Sequence, residues 1–82
     1  MATRIGPKPE GYAVLTLGQW SQGAGVDSAI ATFSQVEVAV DERNRLNEIA
    51  GRAPLFTFRP QYIVEPWWTM HGRRSWLNPQ PR

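Results

Sequence analysis

The sequence predicts an α+β fold: a small antiparallel sheet with one short helix and extended, proline-rich termini. Three observations predict this class. Segments rich in strand formers lie on both sides of a pattern with helix-capping residues, and both ends of the chain contain prolines. A chain of 82 residues with 41% hydrophobic and 20% charged residues also suits one small globular unit.

The N-terminal segment 1–11 is predicted to be an extended arm, because Pro7, Pro9 and neighbouring glycines disfavour both helix and sheet. The next segment, 12–17, reads YAVLTL and is rich in strand formers. Gly18 and a polar, glycine-bearing loop end it. We therefore expect a first strand near 12–17.

The region from Val26 to Ala50 contains neither Gly nor Pro and is ambiguous. With a period of two residues, Val36, Val38 and Val40 project to one side, and β-branched side chains suit a pleated surface. This pattern predicts a strand over 29–40. A single long helix over 27–50, combined with a β-hairpin, is the alternative.

A short helix is predicted over 42–50. Asp41 can act as its N-cap, Glu42 complements the dipole of the first turn, and Gly51 supplies a left-handed C-terminal stop. Leu46 and Ile49 would form its inner face.

Segment 55–64 reads LFTFRPQYIV and is predicted to be a strand with Phe56, Phe58 and Tyr62 on one side. Pro60 cannot donate to a sheet ladder, so an edge position or a bulge is expected. The predicted organisation is thus a core domain over 12–64, between the N-terminal arm and an extended C-terminal arm over 65–82 that is rich in Trp and Arg.

Size and composition make partner contacts an expected source of stability. A domain of this length buries only about 60% of the surface of its unfolded chain. The sequence has no Cys and one His, which excludes disulfides and the usual zinc sites. The net charge is +2, with acids concentrated in the middle of the chain and arginines without acids near its end.

Motifs for catalysis are weak. The loop GAGVDS approximates a phosphate-binding glycine turn but has Ser28 where the third glycine would stand. Glu65, His71 and Ser75 supply the residue types of a hydrolytic triad without any oxyanion-hole signature. We therefore expect no enzymatic activity, no catalytic or metal-binding residues and no cofactor.

The stretch VEPWWTMHGRRSW holds three of the four tryptophans and an arginine pair. Aromatic rings with arginines resemble a platform for single-stranded nucleic acid, but the segment has too few positive charges to favour binding to phosphates. Pro66 and Gly72 interrupt any amphipathic helix that could lie on a membrane, and no membrane span is predicted. Trp, Tyr and Arg are the residues enriched in protein interfaces. The predicted partner-binding residues are Trp67, Trp68, Arg73, Arg74, Trp76, Phe56, Phe58 and Tyr62.

The sequence therefore predicts a non-enzymatic structural or accessory subunit of a large protein assembly. A virion component, from a head, tail or decoration layer, is the favoured assembly, by analogy with short chains that interlock through arms. The partners would be proteins, including other copies of the chain. The alternative is a small nucleic-acid-binding, inhibitory or regulatory module. No secretory signal is recognised, so a soluble protein made inside the cell is expected, with the virion as its final location.

Overall fold

The computed structural model describes residues 8–52 and 59–78. Within them a four-stranded antiparallel sheet of order β2-β1-β3-β4 packs against one main helix, which confirms the predicted α+β class. The elements follow the chain in the order β1 (Gly11–Thr16), α1 (Leu17–Ser21), a 3₁₀ turn (Val26–Ser28), β2 (Ala31–Phe33), α2 (Val36–Gly51), β3 (Tyr62–Met70) and β4 (Arg73–Ser75).

Strand β1 is the centre of the core and lies within one residue of the predicted strand at each end. Ala13, Val14 and Leu15 are all fully buried. Because successive residues of a strand point to opposite faces, burial of all three means that both faces of the sheet are covered here. Val26 and Ala39 complete the buried apolar set of the described residues.

Helix α1 begins with a capping box. Thr16 Oγ1 accepts from the Gln19 N–H at 3.0 Å, and Gln19 Oε1 accepts from the Thr16 N–H at 2.9 Å. Gln19 Nε2 also donates to the Ser28 carbonyl at 3.0 Å. One glutamine thereby fixes both the end of β1 and the 3₁₀ turn that follows.

Helix α2 corrects the predicted strand over 29–40 and the predicted helix start at residue 42. The helix begins at Val36, and β2 is limited to Ala31–Phe33. The predicted strand over 29–40 is thus present only over Ala31–Phe33, and the alternative long helix does not begin at residue 27. The reason is that the valines do not face a core: Val36 and Val38 stay exposed, whereas Ala39 is buried against the sheet.

Strand β3 is displaced from the predicted strand over 55–64, and it is an inner strand, not an edge. It runs from Tyr62 to Met70, so the predicted C-terminal arm over 65–82 contains two thirds of β3 and all of β4. Pro66 is tolerated inside it. Leu17 donates to the Gln61 carbonyl, so alternation along the ladder turns the nitrogen of Pro66 away from β1. Phe56 and Phe58 lie outside the described residues.

The two faces of the sheet have different covers. Helix α2 packs on β1, β2 and β3, on the face that carries Tyr12, Val14 and Phe33. The register places Gly11, Leu15, Glu65, Trp67 and Arg74 on the opposite face. The loop from α1 to β2 covers this second face, because the 3₁₀ turn contacts β4.

Candidate functional site

A two-residue turn shapes the hairpin formed by β3 and β4. Met70 pairs with Arg73, and the two residues between them have positive φ, 54° at His71 and 76° at Gly72. Positive φ at both central positions is the signature of a type I′ turn, whose twist matches that of the flanking strands. His71 is therefore a turn residue in the left-handed region, and it is exposed.

Trp67 lies flat against β1 because its neighbour has no side chain. Gly11 is its register partner, and a Cβ on Gly11 would stand 2.7 Å from Trp67 Nε1 and 2.9 Å from the Phe33 carbonyl oxygen. No side chain larger than hydrogen fits there. Trp67 Nε1 is itself buried and has no hydrogen-bond partner among the described residues.

Arg74 closes over the exposed side of the same indole. Its guanidinium carbon lies 5.1 Å from the centre of the Trp67 ring. Arg74 pairs with Thr69, two residues from Trp67 on the same face, so the contact is the diagonal one expected between antiparallel strands. A cation over an exposed indole contributes about 0.5–1 kcal/mol.

Asp27 is the carboxylate nearest to Arg74, at 3.9 Å from its Nη1. The Asp27 side chain is 89% exposed and that of Arg74 48% exposed, so solvent screens the pair. Exposed pairs of this kind contribute little to stability. The guanidinium thus remains able to accept a stronger acidic partner.

Trp76 anchors the far end of the hairpin. Its Nε1 donates to the Ala24 carbonyl at 2.9 Å, across 52 residues of sequence. Its ring meets Trp20 of α1 edge to face, with centroids 5.1 Å apart and an interplanar angle of 76°. These two contacts attach the C-terminal strand to the loop that leaves β1.

An open cleft of about 530 Å³ lies between the 3₁₀ turn and the hairpin turn. It is lined by Gly25, Val26, Asp27, Gly72, Arg73 and Arg74. Two arginines and one aspartate give it a net positive charge. The cleft is therefore suited to a carboxylate or another anionic group.

Glu65 lies on the same face of the sheet as Trp67 and opposite Ala13. Loss of solvent around its carboxyl raises the pKa of Glu65 above the usual value. Ser75 and His71, the other members of the weak sequence triad, belong to β4 and to the hairpin turn. Among the described contacts, the Ser75 hydroxyl accepts from the Leu77 N–H at 3.0 Å.

The structure brings together three of the residues predicted to bind a partner: Trp67, Arg74 and Trp76 share one face of the sheet or its rim. Arg73 lines the adjacent cleft. Trp68 follows Trp67 in the strand and so belongs to the opposite face, with α2.

Tyr62 is held by a residue that sequence reasoning missed. Asn47 Oδ1 accepts from the Tyr62 N–H at 2.8 Å, and Asn47 Nδ2 donates to the Tyr62 carbonyl at 3.1 Å. The amide of a helical side chain thus replaces a neighbouring strand where β4 does not reach. Sequence reasoning also missed Trp20, the fourth tryptophan, although tryptophan is a residue type enriched in protein interfaces.

Within residues 8–52 and 59–78, no group of three or more His, Cys, Asp or Glu side chains could hold a metal ion. No helix in the same ranges is long and apolar enough to cross a membrane.

Comparisons of the chain with protein-family models, with curated proteins and with solved structures found no match.

Proposed function

We propose that this protein is a non-enzymatic structural or accessory subunit of a large protein assembly, with a virion head, tail or decoration layer as the favoured assembly. In this proposal two parts of the β3–β4 hairpin dock on a partner protein. One is the segment after β4 that contains Leu77, and the other is the cleft lined by Arg73 and Arg74. The choice of a virion is by analogy with short, cysteine-free chains that build particle layers.

The exposure of Leu77 is the observation that carries the proposal. Its side chain is 67% exposed, although it directly follows Trp76, which is anchored to Ala24 and Trp20. The Leu77 N–H donates to Ser75 Oγ, so the backbone at this point is also held. A large apolar side chain is thus presented to solvent from an ordered base, as expected of a preorganised contact residue.

The balance of buried and exposed apolar groups supports docking further. In the described residues the fully or nearly buried apolar side chains are Ala13, Val14, Leu15, Val26 and Ala39, and no aromatic ring is among them, whereas Ile30 and Leu77 are half exposed or more. A domain with such a small core gains stability when a partner covers part of its exposed apolar surface.

Nucleic acid is the rival partner, and the local geometry favours it less. Arg74 covers one face of the Trp67 ring, so that face is not open for a base to stack on. The lining of the cleft described above also has only two arginines, whereas binding to nucleic acid usually combines several cations. An inhibitory or regulatory role would use the same docking surface on a single target protein.

The test is to purify the tagged chain from its native source under mild conditions and to measure the mass and composition of what accompanies it. The partner protein recovered is then titrated with the wild type and with Leu77→Asp. We expect Leu77→Asp to weaken binding by at least about tenfold, because the substitution places a charge in an apolar contact.

Ile49→Asp is the matched control, since Ile49 is 51% exposed and lies on α2. It should change the affinity by no more than about twofold. Equal losses for both variants, or a native chain that carries no protein partner, would contradict the proposal. Binding to nucleic acid with a steep salt dependence would favour the rival partner.

A further inference from the structure

We propose that copies of this chain associate head to tail: the Arg73 and Arg74 cleft of one copy binds the first half of helix α2 of the next. The inference rests on the proposed function, because it names one protein partner for the docking surface described there. It adds the identity of that partner, a second copy, and the surface on it that is bound.

The cleft supplies the basic side of the contact. Arg73 is exposed and has no carboxylate partner in the described part of the chain, and Arg74 has only the loose, solvent-screened contact with Asp27. The indole of Trp67 supports the Arg74 guanidinium from behind, which limits its motion. A carboxylate that enters the cleft would therefore meet a partly oriented donor.

The first half of α2 supplies the acidic side. Residues 36–41 contain Glu37 and Asp41 and no basic residue. Both acids are exposed, and neither forms an ion pair with any residue that the structure describes.

The second half of α2 is different because its acids are already neutralised. Glu42 binds Arg45 at 2.6 Å, and Glu48 binds Arg52. Unpaired negative charge on this helix is thus confined to its first turns, where it can complement the cleft of another molecule.

Apolar side chains flank the acidic surface. Val36 and Val38 are 38% and 44% exposed beside Glu37. Contact with a second copy would remove these side chains from water, which is favourable. The acidic surface therefore offers apolar area as well as negative charge.

The cleft and the first half of α2 cannot contact each other within one molecule, because they belong to different sides of it. Helix α2 lies on the face of the sheet that carries Val14, and Asp41 is on its solvent side. The cleft is formed by the 3₁₀ turn and the hairpin. A contact between two different surfaces is heterologous, and it generates a ring or an open chain of copies.

The experiment measures self-association of the purified full chain by sedimentation velocity over a range of concentrations at low salt. Asp41→Lys and Arg73→Glu should each raise the dissociation constant for self-association by about tenfold or more, because each places like charges opposite one another. Glu48→Lys and Arg52→Glu are matched controls with the same changes in net charge. These control substitutions should change the dissociation constant for self-association by about twofold at most.

Two further samples test the pairing itself. The chain that carries both Asp41→Lys and Arg73→Glu restores opposite charges across the contact and should associate within about threefold of the wild type. An equimolar mixture of the two single variants should associate more strongly than either variant alone, because every contact between unlike variants places opposite charges together. Circular dichroism checks that every variant is folded.

A wild-type chain that stays monomeric at millimolar concentration would overturn the inference, and so would equal effects of Asp41→Lys and Glu48→Lys. These outcomes differ from failure of the proposed function. A monomeric chain that still binds another protein, with loss of affinity in Leu77→Asp, would refute head-to-tail association and leave the proposed function standing.

Discussion

The two halves of β3 are held to the rest of the molecule in different ways. Residues 62–67 pair with β1, the strand whose Ala13, Val14 and Leu15 are fully buried, and Asn47 holds the opposite edge at Tyr62. Residues 68–70 extend past β1 and pair with the three residues of β4. The first half is thus fixed by the core and the second by contacts of the hairpin.

This difference shows how the candidate site gains order without a core beneath it. The outer half depends on the Trp76 hydrogen bond to Ala24, the ring contact with Trp20, and the stacking of Arg74 on Trp67. Each is worth about 1 kcal/mol. We therefore expect the hairpin to open locally at a lower free energy than the strand pair beneath α2.

Asn47→Leu should give the largest effect, because it breaks the support of the inner half. The variant keeps the size of the side chain but removes both hydrogen bonds to the partly buried backbone of Tyr62. We expect a loss of about 2 kcal/mol in the free energy of unfolding, measured by urea denaturation. Asn44→Leu is the control, since Asn44 is exposed and its described side-chain contacts are with the neighbouring Arg43. Equal losses would contradict the role given to Asn47.

Trp76→Phe should have a smaller and more local effect on the outer half. The substitution keeps an aromatic ring for Trp20 but removes the N–H that donates to Ala24. Native-state hydrogen exchange should show that the opening free energy of the β4 amides falls by about 1 kcal/mol. The amides of residues 13–15 should be less affected, and uniform acceleration across the sheet would argue against local opening. Trp20→Phe, which leaves the hydrogen bond to Ala24 in place, is the comparison variant.

Glu65→Gln should have the smallest effect, and it depends on pH. The raised pKa of Glu65 means that the folded state holds the proton more tightly than the unfolded state does. Stability is therefore lost as pH rises from the usual Glu pKa, about 4.3, through the raised value. Gln cannot ionise, so the variant should have the higher Tm at pH 7, and this advantage should disappear at pH 3. A thermal scan at both pH values measures this, and Glu10→Gln controls for the change in net charge. A Tm advantage that is the same at both pH values would refute this origin.

Local sequence predicts β1 well because the residue types of the segment and the glycine after it indicate the same strand. The run of strand formers is continuous, and Gly18 follows two residues after the observed end of the strand. Local pattern fails for α2, since the positions that contact the sheet include Ala39 and Asn47, whereas the large apolar Val36, Val38 and Ile49 are exposed. Tertiary packing then overrides the β preference of the valines.

The candidate site is predictable in composition but not in arrangement. The concentration of tryptophans and arginines marks the hairpin, where Arg74 stacks on Trp67 and Trp76 follows β4. Their partners Gly11, Ala24 and Asp27 come from the first third of the chain, and no local pattern connects them. Pro66 suggested a break in structure, but the register of β3 allows it inside a strand.

The two outer strands of the described sheet, β2 and β4, have three residues each. Such short edges expose few backbone groups for another strand to join, and this protects a sheet protein from fusing with its neighbours into continuous β aggregates. Copies of such a sheet can therefore come close together without merging. In the head-to-tail association proposed above, the contacts between copies would be made by side chains and would remain reversible.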